Sequence, residues 1–282
     1  MKKVTLAIAF AALCTSSVFA QQNQAVLTQE GADNNSQIIQ TGQSNYTRTE
    51  AFGSDSEVRI IQEGDSNATD NRIEGDRVEA YTDQIGNGNL SAQAITGDDV
   101  QAILMSNGNN NAGNITIEGD DNFTRSLQNG DGNVSIQTQL GNDNLSDFNS
   151  VGGDENRNIS EQTGNNNIVR LDQTGNLNTS VNVQTGDINT TSQLQEGDGN
   201  TINTRQEGGN NAAGLDSEGG GIDQIGDLNS IGIKQTGDGN FGTSFQVGDE
   251  NTGVIDQKSN ANSGIITQTG LRNNASIEQS NQ

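Results

Sequence analysis

The side chains in this chain with scope for chemistry are amides and carboxylates, and both recur at fixed spacing. Asn occurs 40 times and Gln 27 times among 282 residues. An amide carries donors and an acceptor together, so identical amides stacked in register can bond the copies above and below. The carboxylates suggest a second chemistry. Asp follows a regularly spaced Gly at 65, 76, 98, 120, 131, 154, 187, 198, 227, 238 and 249. An acidic column would supply the oxygen ligands that Ca²⁺ takes. The same residues are good turn formers and keep a surface hydrated. Calcium-binding rolls use a nine-residue Gly-Gly-x-Gly-x-Asp repeat, shorter than the spacing here. Loose bridging by divalent cations is therefore the stronger form of that reading. The chain has no His, hence no imidazole base, no Ser-His-Asp or Cys-His pair and no His metal ligand. Nothing marks a catalytic cleft, and no enzyme and no cofactor are expected.

The elements that must position these groups follow from the repeat. Gly falls every eleven residues from Gly31 to Gly141, again from Gly153 to Gly219, and then at Gly226, Gly237, Gly248 and Gly270, with Ser259 and Asn281 at the two remaining marker sites. One residue inserted near Gly152–Gly153 and four residues lost within 217–226 interrupt the series. This makes 24 units. In a unit such as Asn23-Gln-Ala25-Val-Leu27-Thr-Gln29-Glu-Gly31, the first, third, fifth and seventh positions share one parity, which means a β-strand with those residues on one face. The last four positions form a corner. Its glycines include Gly31, Gly42, Gly64, Gly86, Gly130, Gly141, Gly164, Gly175, Gly186, Gly197, Gly237 and Gly270.

An eleven-residue strand–turn unit cannot bury its face alone. Two units facing each other make a 22-residue coil, and coils stack in parallel at about 4.8 Å. The expected fold is all-β: a two-sheet β-solenoid of about twelve coils, roughly 55–60 Å long. Hydrophobic residues make up only 29%, against roughly 45–50% in globular domains, so amide ladders must replace much of the apolar core. Gln holds the seventh position at Gln29, Gln40, Gln62, Gln84, Gln128, Gln139, Gln162, Gln173, Gln184, Gln195, Gln206, Gln224, Gln235, Gln246, Gln257, Gln268 and Gln279. Asn follows five residues later in all but the last, as at Asn34, Asn45, Asn67, Asn89, Asn133, Asn144, Asn167, Asn178, Asn189 and Asn200. Such coupling fits a corner whose two flanking amides are buried together. In Ile73/Val78 and Ile95/Val100 both are replaced by apolar residues.

The first twenty residues stand apart. Lys2 and Lys3 precede an apolar run from Val4 to Leu13, and Val18-Phe19-Ala20 offers a cleavage site, the pattern of a secretory signal peptide. Cys14, the sole cysteine, lies inside it, so an exported chain from Gln21 would not depend on disulfides. That chain has 11 basic and 37 acidic residues, net −26, which repels phosphate backbones and argues against nucleic-acid binding. No later stretch is long and apolar enough for a transmembrane helix.

The repeat resembles that of the curlin family, the subunits of curli-type bacterial functional amyloid fibres. Gln195-Glu-Gly197-Asp-Gly199-Asn200 and Gln128-Asn-Gly130-Asp-Gly132-Asn133 match the family's corner. Asn23-x-Ala25-x3-Gln29 and Asn273-Asn-Ala275-x3-Gln279 match its second strand. The resemblance implies export through the periplasm and a dedicated outer-membrane pore, helped by chaperones. It also implies polymerisation with itself, started by a nucleator subunit, into a cell-surface fibre serving biofilm matrix and adhesion. The chain has more repeats than typical members, and they start within three residues of the expected cut, where the major subunit usually carries an unrepeated secretion segment. A minor or nucleator subunit, or a monomeric solenoid adhesin binding a surface or divalent cations, are the alternatives.

Overall fold

Period-two patterning and a Gly corner every eleven residues force the chain to reverse direction after each short strand. In the computed structural model, which describes residues 22–150, 152–214 and 221–280, this produces a two-sheet parallel β-solenoid. The described residues contain no helix. The expected leader at 1–20, with Cys14, and the marker Gly219 lie outside the described residues.

Strand β1 (Gln24–Glu30) lies in the first sheet and β2 (Asn35–Thr41) in the second. Strand β3 (Tyr46–Phe52) returns to the first sheet and pairs in parallel with β1, with Gln24 against Tyr46. The same offset of 22 residues repeats along the solenoid, so each residue type stacks on its own position in the next coil. The alternation of Gln40, Gln62 and Gln84 with Ala51, Ile73 and Ile95 is thereby sorted between the two sheets.

The interior is narrow and changes character along the axis. Ala51, Ile60, Ile73, Val78, Ile95, Leu104 and Ile117 belong to one buried apolar cluster, and Ile202, Ile222, Ile231, Ile233, Ile255 and Ile266 to another. Phe148, Val169 and Leu171 form a smaller one between them. Each fully buried aliphatic side chain contributes about 1.5–3 kcal/mol. Elsewhere the interior is polar: Asn133, Ser135, Gln137 and Gln139 are all at most 1% exposed.

Corners require Gly for a reason visible at Gly31, whose φ is 128°. A Cβ there would stand 1.6 Å from the carbonyl oxygen of Gly53 in the next coil. The corner's last residue also adopts positive φ, and there side chains are tolerated, as at Asp33 (57°) and Ile188 (61°).

Two insertions interrupt the series at different depths. After β12 (Leu145–Ser150) the partner offset grows to 23, as in Asn133 Oδ1 with Asn156, so one extra residue is absorbed in the corner before β13 (Arg157–Thr163). The second insertion corrects the sequence reading. Gln195 pairs in register with Gln224, and Gln206 with Gln235, offsets of 29, so the chain gains seven residues where the Gly spacing suggested a loss of four. Strand β16 (Thr190–Glu196) pairs with β18 (Ala212–Ala213) and also with β19 (Ile222–Ile225), so these two are halves of one rung. Ala213 and Ile222 keep the inward third and fifth places of that rung, so the extra residues enter at its outward fourth place. Gly208 accordingly faces Gly237, and Gly197 faces Gly226. Gly219 fits the spacing only because it belongs to the Gly219–Gly221 run. Among the described residues the 24 sequence units become 23 rungs, twelve in the first sheet and eleven in the second.

Candidate functional site

The seventh position of a rung points inward at a corner, where its side chain meets the next coil's equivalent about 4.8 Å away. Gln is long enough to bridge that distance amide to amide. Gln40 Nε2 donates to Gln62 Oε1 at 2.8 Å, and Gln62 to Gln84 at 2.8 Å. A longer ladder begins at Gln139 and runs through Gln162, Gln184, Gln206, Gln235 and Gln257 to Gln279. Another joins Gln173, Gln195, Gln224, Gln246 and Gln268. Every amide-to-amide bond in these runs points from Nε2 toward higher residue number. A second Nε2 hydrogen reaches a backbone carbonyl of the facing strand, as from Gln62 to Tyr46 at 3.1 Å. Gln29 and Gln128 stand outside the ladders. Gln29 donates to Ser36 Oγ, and Gln128 to the carbonyls of Ala112 and Asn133, because Ala51 and Ser150 occupy the next rung.

Asn is one methylene shorter and works differently. Asn45 Nδ2 donates to the Gly64 carbonyl at 2.7 Å, and Asn45 Oδ1 accepts the backbone N–H of Asn67 at 2.9 Å. Thus the Asn column pairs mainly with the exposed backbone of the neighbouring corner. Asn34, Asn89, Asn133, Asn144, Asn167, Asn178, Asn189 and Asn200 make the same Nδ2-to-glycine bond. Asn111, Asn122 and Asn156 do so too, although no Gln precedes them by five.

The Asp column has a role that turn propensity alone does not indicate. Asp65 Oδ1 accepts the backbone N–H of Gln43 at 2.7 Å, and Asp76 that of Ser54 at 2.7 Å. The pattern continues up both edges with Asp or Asn, for example Asp98 to Asp76 and Asp227 to Asp198. These oxygens bind the next coil's backbone, and among the described residues no three acidic groups converge as a metal site. The signal was present in the sequence as Asp or Asn one residue after the marker Gly.

At the corners, ion pairs also link neighbouring coils. Arg77 holds Asp99 bidentately at 2.5 Å, and that bond lowers the Asp99 carboxyl below its usual range. Arg272 does the same for Glu250. Both pairs are exposed and contribute little to stability.

The ends of the stack differ from its middle. Among the described residues, strands β1 and β2 have a strand partner on one side only, as do β23 (Ser263–Thr269) and β24 (Asn274–Ser280). Inward Leu27, Ile38 and Ile277 are only half-buried, whereas Ile60 and Ile255 within the stack are 0% exposed.

Residues 248–280, which hold β22 (Thr252–Lys258), β23 and β24, match the family model for the curlin associated repeat. This segment is a curlin-type repeat. The matched segment shares its register with the rest of the solenoid, since β22 pairs with β20 (Ser230–Thr236) at the offset of 22 found from β1 onward. No curated protein matches the chain. No described helix is long and apolar enough to cross a membrane.

Proposed function

We propose that this chain is a secreted, self-assembling structural subunit of a curli-like extracellular amyloid fibre. The observation that carries the reading is the chemistry of the end rungs. β1 and β2 at one end, and β23 and β24 at the other, offer unpaired strand edges flanked by half-buried Leu27, Ile38 and Ile277. Ordinary proteins cover or charge such edges. A second copy laid on either end would pair the backbone and bury the apolar residues, as each internal rung does for the next. On this reading the stacked Gln and Asn side chains and the corner glycines are structural, and no catalysis is assigned. Residues 1–20 act as the export signal, the fibre sits at the cell surface, and its uses are matrix and adhesion. A pore, chaperones and a nucleator are the partners such export and growth would need.

The experiment is seeded growth of the chain freed of residues 1–20. Preformed, sonicated fibres should abolish the lag phase of thioflavin fluorescence, with fibres visible by electron microscopy. A chain that stays monomeric for days at micromolar concentration, with or without seeds, would instead point to the monomeric adhesin.

A further inference from the structure

The two ends of the stack are not related by a whole number of coils. The described strands make 23 rungs, so the stack closes on eleven complete turns plus one rung. At the high-number end, β23 lies in the second sheet and β24, half a coil further on, in the first. The next place along the winding path is therefore in the second sheet, directly over β23.

Resting on the end-to-end assembly proposed above, we infer that successive subunits in the fibre are related by a half-turn about its axis. β23 pairs with β1 of a second copy, and β24 with that copy's β2. Without the half-turn, β1 of the second copy would lie on β24, and its β2 would land two layers above β23. One rung of about 4.8 Å would then be missing from the second sheet. Its loss would leave both facing strand edges unpaired beside the core, with their buried polar groups unsatisfied.

The side chains fit the turned arrangement. Unit positions bring Ile266 over Leu27 and Ile277 over Ile38, apolar on apolar, and Gly264 over Ala25 and Ala275 over Ser36, small on small. Gln268 and Gln279 end their ladders, whose Nε2 groups point toward higher residue number. Gln29 and Gln40 hold the equivalent position at the other end, so their Oε1 atoms are the next acceptors. This direction also makes the contact head-to-tail. Both edges of the solenoid use the same corner, with positive φ at Gly31 and Asp33 on one and at Gly42 and Ser44 on the other, so a half-turn superposes one edge on the other.

Disulfide trapping tests this, because Cys14 is the sole cysteine and falls in the removed segment. Thr28, Thr267 and Glu278 all occupy the outward sixth position of their rungs. Fibres are grown under reducing conditions, confirmed by microscopy, oxidised, and dissolved for non-reducing electrophoresis. The pair Thr28→Cys with Thr267→Cys should give a ladder of covalent oligomers, since adjacent rungs lie within disulfide reach. The pair Thr28→Cys with Glu278→Cys should stay monomeric. Removing residues 273–282, and with them β24, leaves 22 rungs. Thr28→Cys should then link to Asp256→Cys on β22. A ladder from the 28/278 pair and not from 28/267 overturns the half-turn while leaving end-to-end growth intact. Seeded fibres that link through neither pair overturn the end contact itself. No fibres from any variant or from the parent chain would sink the assembly reading, and the half-turn with it.

Discussion

Gln62 donates from Nε2 to Oε1 of Gln84 at 2.8 Å, with both side chains fully shielded from water. Gln62 also accepts from Gln40 Nε2 at 2.8 Å and from Thr47 Oγ1 at 3.0 Å, and donates to the Tyr46 carbonyl at 3.1 Å. Replacing it with a side chain of similar size therefore orphans groups on three rungs. Each buried polar group left unpaired costs about 1–3 kcal/mol. Gln62→Leu should destabilise the chain by at least that amount, whereas Ile73→Leu, on the apolar edge of the same solenoid, should cost less than about 1.5 kcal/mol. Guanidinium unfolding midpoints of the unassembled chain compare the two. Equal effects would mean that the ladder is incidental to stability.

The two positive-φ sites of a corner should respond oppositely to substitution. At Gly64 (φ 115°) a Cβ would lie 2.0 Å from the Gly86 carbonyl oxygen, a backbone atom that cannot yield without breaking the stack. Gly64→Ala should cost several kcal/mol, or prevent folding. Ile188 is a β-branched residue at φ 61° with its side chain 57% exposed. Left-handed backbone costs a non-Gly residue about 1–2 kcal/mol, so Ile188→Gly should stabilise by roughly 1 kcal/mol. Thermal melting of both variants tests the pair of signs.

Much of this architecture was legible in the sequence because its constraints are local and repeated. The Gly spacing and the parity of Asn23, Ala25, Leu27 and Gln29 sufficed for strand, corner and inward face. What lay hidden was relational. Turn propensity explains Asp65 without reference to a neighbour, so its bond to the Gln43 backbone one coil away left no separate mark. Asn and Gln also look interchangeable as stacked amides, yet one methylene decides that Gln62 reaches its own kind and Asn45 reaches the Gly64 carbonyl. Gly219 misled for a similar reason: a glycine-rich insertion offers a marker in frame by composition alone.

Asp83 predicts a pH dependence. It sits on the outer face of the second sheet between Ile61 and Met105 of the adjoining rungs, with one buried carboxylate oxygen lacking a hydrogen bond. Burial raises its pKa, and Glu63 adds to that, partly offset by Arg59. A raised folded-state value means that the ionised carboxylate subtracts from stability above it. The penalty fades as pH falls through the folded value and toward the unfolded one near 3.9. Asp83→Asn should therefore raise the melting temperature at pH 7 and leave it almost unchanged near pH 3. A gain of equal size at both pH values would trace the effect to packing rather than charge.

The seven-residue gain is separable from the scaffold, and this can be tested by removing it. Ala213 and Ile222 keep the places of a third and a fifth rung residue, so a single residue between them is enough to span the rung. Deleting residues 215–221 leaves Gly214 in that place and restores an offset of 22 between Gln195 and its partner. The shortened chain should fold, keep its β-sheet circular dichroism and unfold at the same or a higher guanidinium concentration. A shorter connection between Ala213 and Ile222 carries a smaller entropy cost of closure. The opposite reading, in which four residues are missing from a separate unit, predicts that deleting seven more would shift Gln224 and every later inward residue out of its column. Those inward residues include Ile231, Ile233 and Ile255, whose exposure would collapse the fold. A deletion variant that fails to form sheet would count against the register, and one that melts cooperatively at or above the parent would establish it.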